Sequence, residues 1–527
     1  MKNICVVIPA IKKNAVIPDQ LVKKMSGVTL IQRMIDQAID FSKNRSQVLI
    51  LTDSDEISLI AKRNKIPYFK DKKLKISEDS IIDEVSKFLL ELDFENFLLL
   101  RGSLPLLKTT NLIEAYNLFL MSSGKAVVVS VKDHDRTLFR KDSNHLTRYE
   151  RGHFYEELLG FYIINKNNLL SKKKYIPFIV PESQSIEVDG YNSWWICEKI
   201  LQRKRIVFYV IGNTEIGMGH IYHSISLAHE IIDHKIIFVC KSKDKLALQQ
   251  IASYDYEVLS YDNPEREIPF LDADVVINDV LDTDENYILN LKKKKSTVIN
   301  FEDLGDGGKH ADLVINELYE SPVFSNKNYL WGHRCVILRD EFHNATRNIL
   351  RPQVKKIMLI FGGSDPNNLT GRTFDEIASF CQQHKITIDI VCGNGYLFFD
   401  ALKSSISNYD REIINLHQST KTISQVMEGC DLAISSNGRT VYELVDMNIP
   451  SIIVSHHERE DSHNFATRDN GFEYLGIANE NIQHDIYKNF KRLVTSYSDR
   501  ESLFNRMLSI NIRDNKKQII REIYKFL

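Results

Sequence analysis

The chain has 527 residues, 43% hydrophobic and 26% charged, with a formal net charge of −2 at pH 7. That length exceeds a single core and predicts two to four domains of ordinary globular composition. Near-neutral charge gives no argument for nucleic acid or an anionic membrane surface as partner, local basic patches remaining open, and no apolar stretch reaches membrane-spanning length. In chain order, "ICVVIPA", "QVLILTD", "FLLLRG" and "KAVVVSVKD" come first. They are followed by "IVFYVIG", "KIIFVC", "DVVIND", "STVINF", "KIMLIFGG", "TIDIVCG", "LAISSNG" and "SIIVS". These β-rich runs alternate with helical patterns, which predicts parallel sheets covered by helices. The basic segment Ile200 to Arg205 precedes a restart of the strand-loop-helix pattern, and another glycine loop follows the strand ending in Phe361. We therefore read a first domain over 1–204 and two α/β halves over 205–350 and 351–527. "KKKK" at Lys292 to Lys295 reads as a solvated helix end. The seven cysteines form no C-x-x-C pair and several sit in apolar runs, which favours reduced, buried thiols over disulfides or zinc. "MKNICVVIPA" enters a strand with no leader pattern, so a cytoplasmic location is expected.

Three glycine loops carry the chemistry. "NTEIGMGHIYHSISLAHE", Asn213 to Glu230, joins an apolar strand to a helix with apolar residues at Ile221, Ile225, Leu227 and Ala228. Tyr222 stands where a dinucleotide fingerprint needs its third glycine, and no Gly-Lys-Ser/Thr follows for a P-loop. What remains is a loop with Gly217 and Gly219, a helix N-terminus that favours anions, and the imidazole of His220 at its tip. The second loop, Gly362, Gly363, Ser364, Asp365 and Pro366, offers turn amides to a diphosphate. The third holds Ser435, Ser436, Asn437, Gly438, Arg439 and Thr440, with Glu443 one helical turn in, placed either to accept from ribose hydroxyls or to answer the helix dipole. Glycine loops at the carboxyl ends of strands, facing each other across two halves, fit a nucleotide-sugar cleft. Release of a nucleoside diphosphate needs anion stabilisation by amides and a base that activates water; His220 suits the second task, and no cofactor is expected. Asp303 in "NFEDLG" and Asn316 in "ADLVIN" are candidates for substrate binding or for closing turns.

"IGMGHIYHSISLA", "NFEDLG", "ADLVIN", "LRDEF", "FGGSDPNNLT" and "SSNGRTVYEL" occur in the order seen in the UDP-2,4-diacetamido-2,4,6-trideoxy-β-L-altropyranose hydrolase of pseudaminic acid biosynthesis. Residues 205–480 resemble that family, which has a GT-B fold and is similar to the N-acetylglucosaminyltransferase of peptidoglycan synthesis. The resemblance implies hydrolysis of a UDP-sugar, with His220 matching the catalytic histidine and Gly217 and Gly219 admitting the substrate. Gly362, Gly363, Ser364 and Glu443 match the nucleotide-binding face. Where the family often has arginine three residues after the histidine, this chain has His223.

The first domain resembles the CMP-sialic acid synthetases, cytidylyltransferases with a Rossmann-like nucleotidyltransferase fold. "VVIPAIKKNAVIPDQLVKKMSGVTLIQRMIDQA", "ILTDSDEISLIAKRNKIP" and "SIEVDGYNSWWICEKIL" carry the likeness. In that family Ile-Pro-Ala precedes an arginine and a glycine-serine-lysine loop around the CTP phosphates. Here Ile11, Lys12, Lys13, Asn14 and Ala15 follow instead, and Arg101, Gly102, Ser103, Leu104 and Pro105 replace a Gln-Pro-Thr-Ser-Pro turn. Such a loop is expected to bind triphosphate poorly. Glu187 and Asp189 stand where the family has paired metal carboxylates, which keeps Mg²⁺ open. The leading expectation is a UDP-sugar hydrolase of nonulosonic acid biosynthesis fused to a cytidylyltransferase-like domain, degenerate or active. A glycosyltransferase, a bifunctional hydrolase and CMP-nonulosonate synthetase, and a nucleotide-sugar-binding scaffold are the alternatives. The oligomeric state is not legible.

Overall fold

Why each central strand reads as an unbroken apolar run is answered by the sheets, which are buried on both faces. The computed structural model describes residues 3–12, 17–72, 74, 81–134, 139–142, 145–148, 154–171, 173–213, 216–418, 420 and 422–527. Two compact units divide at Arg203 and Lys204.

In the first unit, β1 (Ile4–Ala10), β2 (Val48–Thr52), β3 (Tyr68–Lys70), β4 (Asn96–Leu100), β5 (Val127–His134), β6 (Phe154–Asn165) and β7 (Tyr175–Ile179) form one sheet. Its order is β7-β5-β6-β4-β1-β2-β3, and β6 runs antiparallel to both its neighbours while the other pairs are parallel. Ile4, Val6 and Ile8 pack into one core and Cys5 and Val7 into another, so successive side chains of β1 enter opposite layers.

The second unit holds two wholly parallel sheets. The first contains β8 (Arg205–Val210), β9 (Lys235–Lys241), β10 (Val258–Tyr261), β11 (Val275–Asp279), β12 (Thr297–Phe301), β13 (Leu313–Asn316) and β14 (Tyr329–Trp331), in the order β10-β9-β8-β11-β12-β13-β14. The second contains β15 (Lys356–Ile360), β16 (Thr387–Cys392), β17 (Ile414–Gln418), β18 (Leu432–Ser436), β19 (Ser451–Ser455) and β20 (Phe472–Ile477), in the order β17-β16-β15-β18-β19-β20. In both, strand order reverses beside the first strand, the switch point at which loops splay apart and leave a crevice. Alternation again serves two layers: Ile206, Phe208 and Val210 face one core and Val207 and Tyr209 the other, as Ile357 and Leu359 are opposed to Met358 and Ile360. Each fully buried aliphatic side chain contributes about 1.5–3 kcal/mol.

The last helix, Asn515–Tyr524, departs from a division of this unit at 350. Its Ile519 and Ile523 are buried in the core of the β8 sheet with Ile206 and Phe208, because its amphipathic stripe returns to the first half. All seven cysteines are free and buried, and burial pushes thiols such as Cys240 up to about 12. Among the described residues, no helix is long and apolar enough to cross a membrane. The architecture is a mixed-sheet α/β unit followed by a unit of two parallel α/β halves.

Candidate functional site

A cleft of about 420 Å³ opens between the two halves of the second unit, at the carboxyl ends of their strands. Gly217, Gly219 and His220 line one wall; Gly362, Gly363, Ser364, Gly438, Thr440 and Glu443 line the other. The walls approach closely: a Cβ on Gly363 would stand 3.3 Å from the Met218 nitrogen, and one on Gly219 would stand 3.4 Å from an Arg439 guanidinium nitrogen. Gly217 takes φ +88°, a conformation that L side chains rarely adopt, as Asn213 closes the loop by accepting from the Gly217 amide at 2.9 Å and the Ile216 amide at 2.9 Å. The helix Gly219–Glu230 then starts without a side-chain cap, so its positive end stays directed at the cleft.

His220 and His223, three residues apart on that helix, present the same face. Both reach Asp279, the last residue of β11: His220 Nδ1 lies 2.6 Å from Oδ1 and His223 Nδ1 lies 2.7 Å from Oδ2. The Ser224 hydroxyl donates to Oδ2 at 3.0 Å. Complete burial of Asp279 opposes its ionisation, but the His220 and His223 imidazoles beside it win and hold its carboxyl well below the usual range. An ionised acceptor fixes the tautomer: each ring donates from Nδ1, and each Nε2 points away. His220 Nε2 is 3.9 Å from Glu302 Oε2, and His223 Nε2 is 3.8 Å from Glu317 Oε2.

Glu302 directly follows β12 and Glu317 directly follows β13. Across the cleft, Arg439 donates from Nε to Glu317 at 2.5 Å and from a terminal nitrogen to Glu302 at 3.1 Å, and it lies 3.7 Å from Asp279. Burial works against the Glu302 charge, yet Arg439 first, with His463 and His220, brings its carboxyl down to about 2. The site thus holds three ionisable carboxylates from one half and an arginine from the other. Arg459 adds a second tie, bonding Asp282 at 2.9 Å and the Glu302 carbonyl at 2.9 Å.

Three of the expected binding residues sit behind the cleft wall, not on it. Asp303 is fully buried; it accepts from the Thr283 amide and hydroxyl, the Gly305 amide and the Asn300 side chain. Asn316 accepts from the Asp303 amide at 3.0 Å and donates to the Asp303 carbonyl at 3.1 Å. Both close turns, and the adjacent Glu302 and Glu317 face the cleft in their place. The Asn437 side chain donates to the carbonyls of Glu460 and His463, bracing the segment that carries His463 into the cleft. Glu443 does line the cleft, but Arg339 bonds its Oε1 at 2.9 and 2.8 Å; burial raises its pKa, and Arg339 opposes the rise. In the Gly362–Gly363–Ser364 loop, Asp365 accepts from the amides of Leu369 and Thr370, so the start of the helix Leu369–His384 is already occupied by a carboxylate. The turn amides, not that helix end, are what this loop offers an anion. Asp279, Glu302, Glu317, Arg459 and His463 were not anticipated from sequence. The one available signal for the first three was their place at or just past the end of an apolar strand.

In the first unit, the Lys12 ammonium bonds Glu56 at 2.8 Å and lies 3.4 Å from Asp19. Lys13, Asn14, Ala15 and Val16 lie outside the described residues. Glu187 and Asp189 flank the buried Val188; Glu187 accepts from the Leu159 amide at 3.5 Å and Asp189 from the Ser193 hydroxyl at 2.7 Å. Their oxygens are donors of the kind Mg²⁺ takes, usually with water and phosphate completing the shell. Among the described residues, no group of three or more His, Cys, Asp or Glu is arranged to hold a metal ion.

No family model matches the chain. It is similar to an uncharacterized protein of Methanocaldococcus jannaschii, 30% identical over 274 residues that cover 48% of this chain and 56% of that protein. The match thus spans about half the length of the archaeal relative. The spore coat polysaccharide biosynthesis protein SpsG of Bacillus subtilis is 22% identical over 309 residues, covering 55% of this chain and 89% of SpsG. Among solved structures, MurG of Acinetobacter baumannii superposes with a TM-score of 0.43 at 12% identity, covering 61% of this chain and 99% of its own. A CMP:2-keto-3-deoxy-manno-octonic acid synthetase complexed with CTP gives a TM-score of 0.30 at 12% identity, over 38% of this chain and 99% of its own.

Proposed function

We propose that residues 204–527 form a nucleotide-sugar hydrolase that releases UDP from a UDP-linked diacetamido-trideoxyhexose, in the supply of a nonulosonic-type acid for surface polysaccharide. The observation that carries this reading is the pairing of His220 with buried Asp279, which leaves Nε2 as a proton acceptor on the cleft. A water held at Nε2 loses its proton to the imidazole as its oxygen attacks the anomeric carbon, and the bond from that carbon to the diphosphate oxygen breaks. Asp279 keeps the ring oriented and stabilises the imidazolium that forms. The uncapped start of the helix Gly219–Glu230 and the amides of the glycine loops stabilise the departing diphosphate. Hydrolysis by these groups requires no metal cofactor, and turnover is expected to persist in EDTA. The similarity to SpsG, a spore coat polysaccharide biosynthesis protein, supports the pathway class.

The test is UDP release from a panel of UDP-sugars in ¹⁸O-labelled water, with and without sugar acceptors. Label in the anomeric hydroxyl of the free sugar, without need of an acceptor, supports hydrolysis. Release that depends on an added acceptor replaces this reading with glycosyl transfer, and binding without turnover replaces it with a scaffold.

A further inference from the structure

The mechanism leaves part of the cleft unused. His223 repeats the geometry of His220 one helical turn further along, on the other oxygen of the same Asp279 carboxylate. Its Nε2 and the Oε2 of Glu317 are 3.8 Å apart, too far for a bond between them, and neither has a hydrogen-bond partner. Both residues line the cleft although His223 is only 4% exposed and Glu317 only 1%. Buried polar atoms without partners are costly, and this pair, enclosed in the cleft wall, would gain from donors that reach both.

We propose that His223 and Glu317 form the subsite for a part of the sugar that supplies two donor hydrogens, an amine or two neighbouring hydroxyls, and that this pair sets substrate choice. The inference rests on the reading of the cleft as a nucleotide-sugar site. Arg439 donates to Glu317 Oε1 and leaves Oε2 as an acceptor, and His223, donating from Nδ1 to Asp279, is left with Nε2 as an acceptor. What satisfies both atoms must therefore supply two donor hydrogens. The charge around it points the same way: Asp279, Glu302 and Glu317 converge on Arg439, while Arg459 bonds the Glu302 carbonyl and Asp282, so the subsite favours a neutral or cationic donor and disfavours a carboxylate. The pair is a specificity element, distinct from the proton acceptor His220.

The test compares affinities, not turnover. Calorimetry on the full chain measures UDP alone and a panel of UDP-glucose, UDP-N-acetylglucosamine, UDP-N-acetylgalactosamine and the UDP-diacetamido-trideoxyhexose. At least one sugar is expected to bind more tightly than UDP. Glu317→Gln keeps an oxygen for Arg439 while removing the charge, and His223→Phe removes the imidazole acceptor. Each should cut the advantage of the best sugar over UDP by about 10-fold or more, the scale of a lost bond to a charged acceptor, while UDP itself binds as before. Thermal unfolding confirms that each variant is folded. An unchanged advantage in folded Glu317→Gln, or no sugar bound better than UDP, overturns the subsite. A parallel loss of UDP affinity overturns it too, since the pair would then be scaffold. Failure of the wild-type chain to bind UDP at all refutes the nucleotide-sugar reading instead.

Discussion

The side chains that decide what the cleft can do are each set by a neighbour. A histidine at a loop tip is a base only if its tautomer and orientation are fixed, and Asp279 supplies both. His220→Ala should leave folding and UDP binding close to wild type while lowering UDP-sugar turnover by about 100-fold or more. Asp279→Asn should lower kcat by a comparable factor, because an amide can present its NH₂ to Nδ1 and move the ring proton to Nε2. Steady-state kinetics on folded variants decide both, and near-normal turnover in His220→Ala removes that residue from the mechanism. Glu302 gives a prediction about stability. Its ordinary value is 4.5 and its folded value about 2, so between those limits the unfolded chain binds more protons than the folded one. Stability from this group is complete above the ordinary value and drains away as pH falls through the folded one. Denaturant melts from pH 5 to pH 2 should show a shallower loss in Glu302→Gln than in wild type, and parallel curves would remove Arg439 as the cause.

At the scale of elements, the strand-loop-helix order was legible because every strand is buried on two faces and so reads as an apolar run. Gly217, Gly219, His220, Gly362, Gly363 and Ser364 were legible for a related reason: loops at the carboxyl ends of parallel strands collect ligands, and glycines mark where backbone comes close. The choice between adjacent polar residues was not. "NFEDLG" offers two acids side by side, and the one that faces the cleft depends on the turn after β12, where Glu302 adopts φ +54°. No residue type announces that angle, so Asp303 looked as eligible as Glu302. Asp279 hid for another reason, being the last residue of a strand whose apolar run drew the reading. The occupied start of the helix Leu369–His384 was equally hidden, as the loop's amides were read as free for a diphosphate and the two that Asp365 takes, those of Leu369 and Thr370, are not marked by residue type. That cap is testable. Asp365→Ala removes both bonds and a charge at the positive helix end, at a cost of about 1–2 kcal/mol, visible as a lower denaturant midpoint with an unchanged slope. An unchanged midpoint would mean that the freed amides find water or substrate phosphate at no loss.

At the scale of the whole chain, the two units pose unequal problems. In the second, the halves are tied by Arg439, Arg459 and the bond from the Tyr442 hydroxyl to the Glu317 carbonyl, so the cleft is shaped by residues from both. In the first, a seven-stranded α/β sheet is complete, while the loop after β1 has no glycine. A synthetase must hold three phosphates in line with the attacking sugar oxygen, which takes close amides and a fork of guanidinium donors. Ile11, in the loop after β1, offers no such fork. Lys12, the described cation of that loop, already shares its ammonium between Glu56 and Asp19, so a triphosphate would have to compete with two carboxylates for it. The full chain is therefore expected to bind CTP with Mg²⁺ no more tightly than about millimolar and to form no CMP-sugar from pseudaminic or related nonulosonic acids. Ile11→Arg alone should not rescue either property, since a single guanidinium leaves Lys12 paired and the loop without glycines. Calorimetry with CTP, joined to a CMP-transfer assay on the same preparation, measures both. Micromolar affinity with product would mean that the Lys12 ion pairs open on binding and that the chain is an enzyme of two activities.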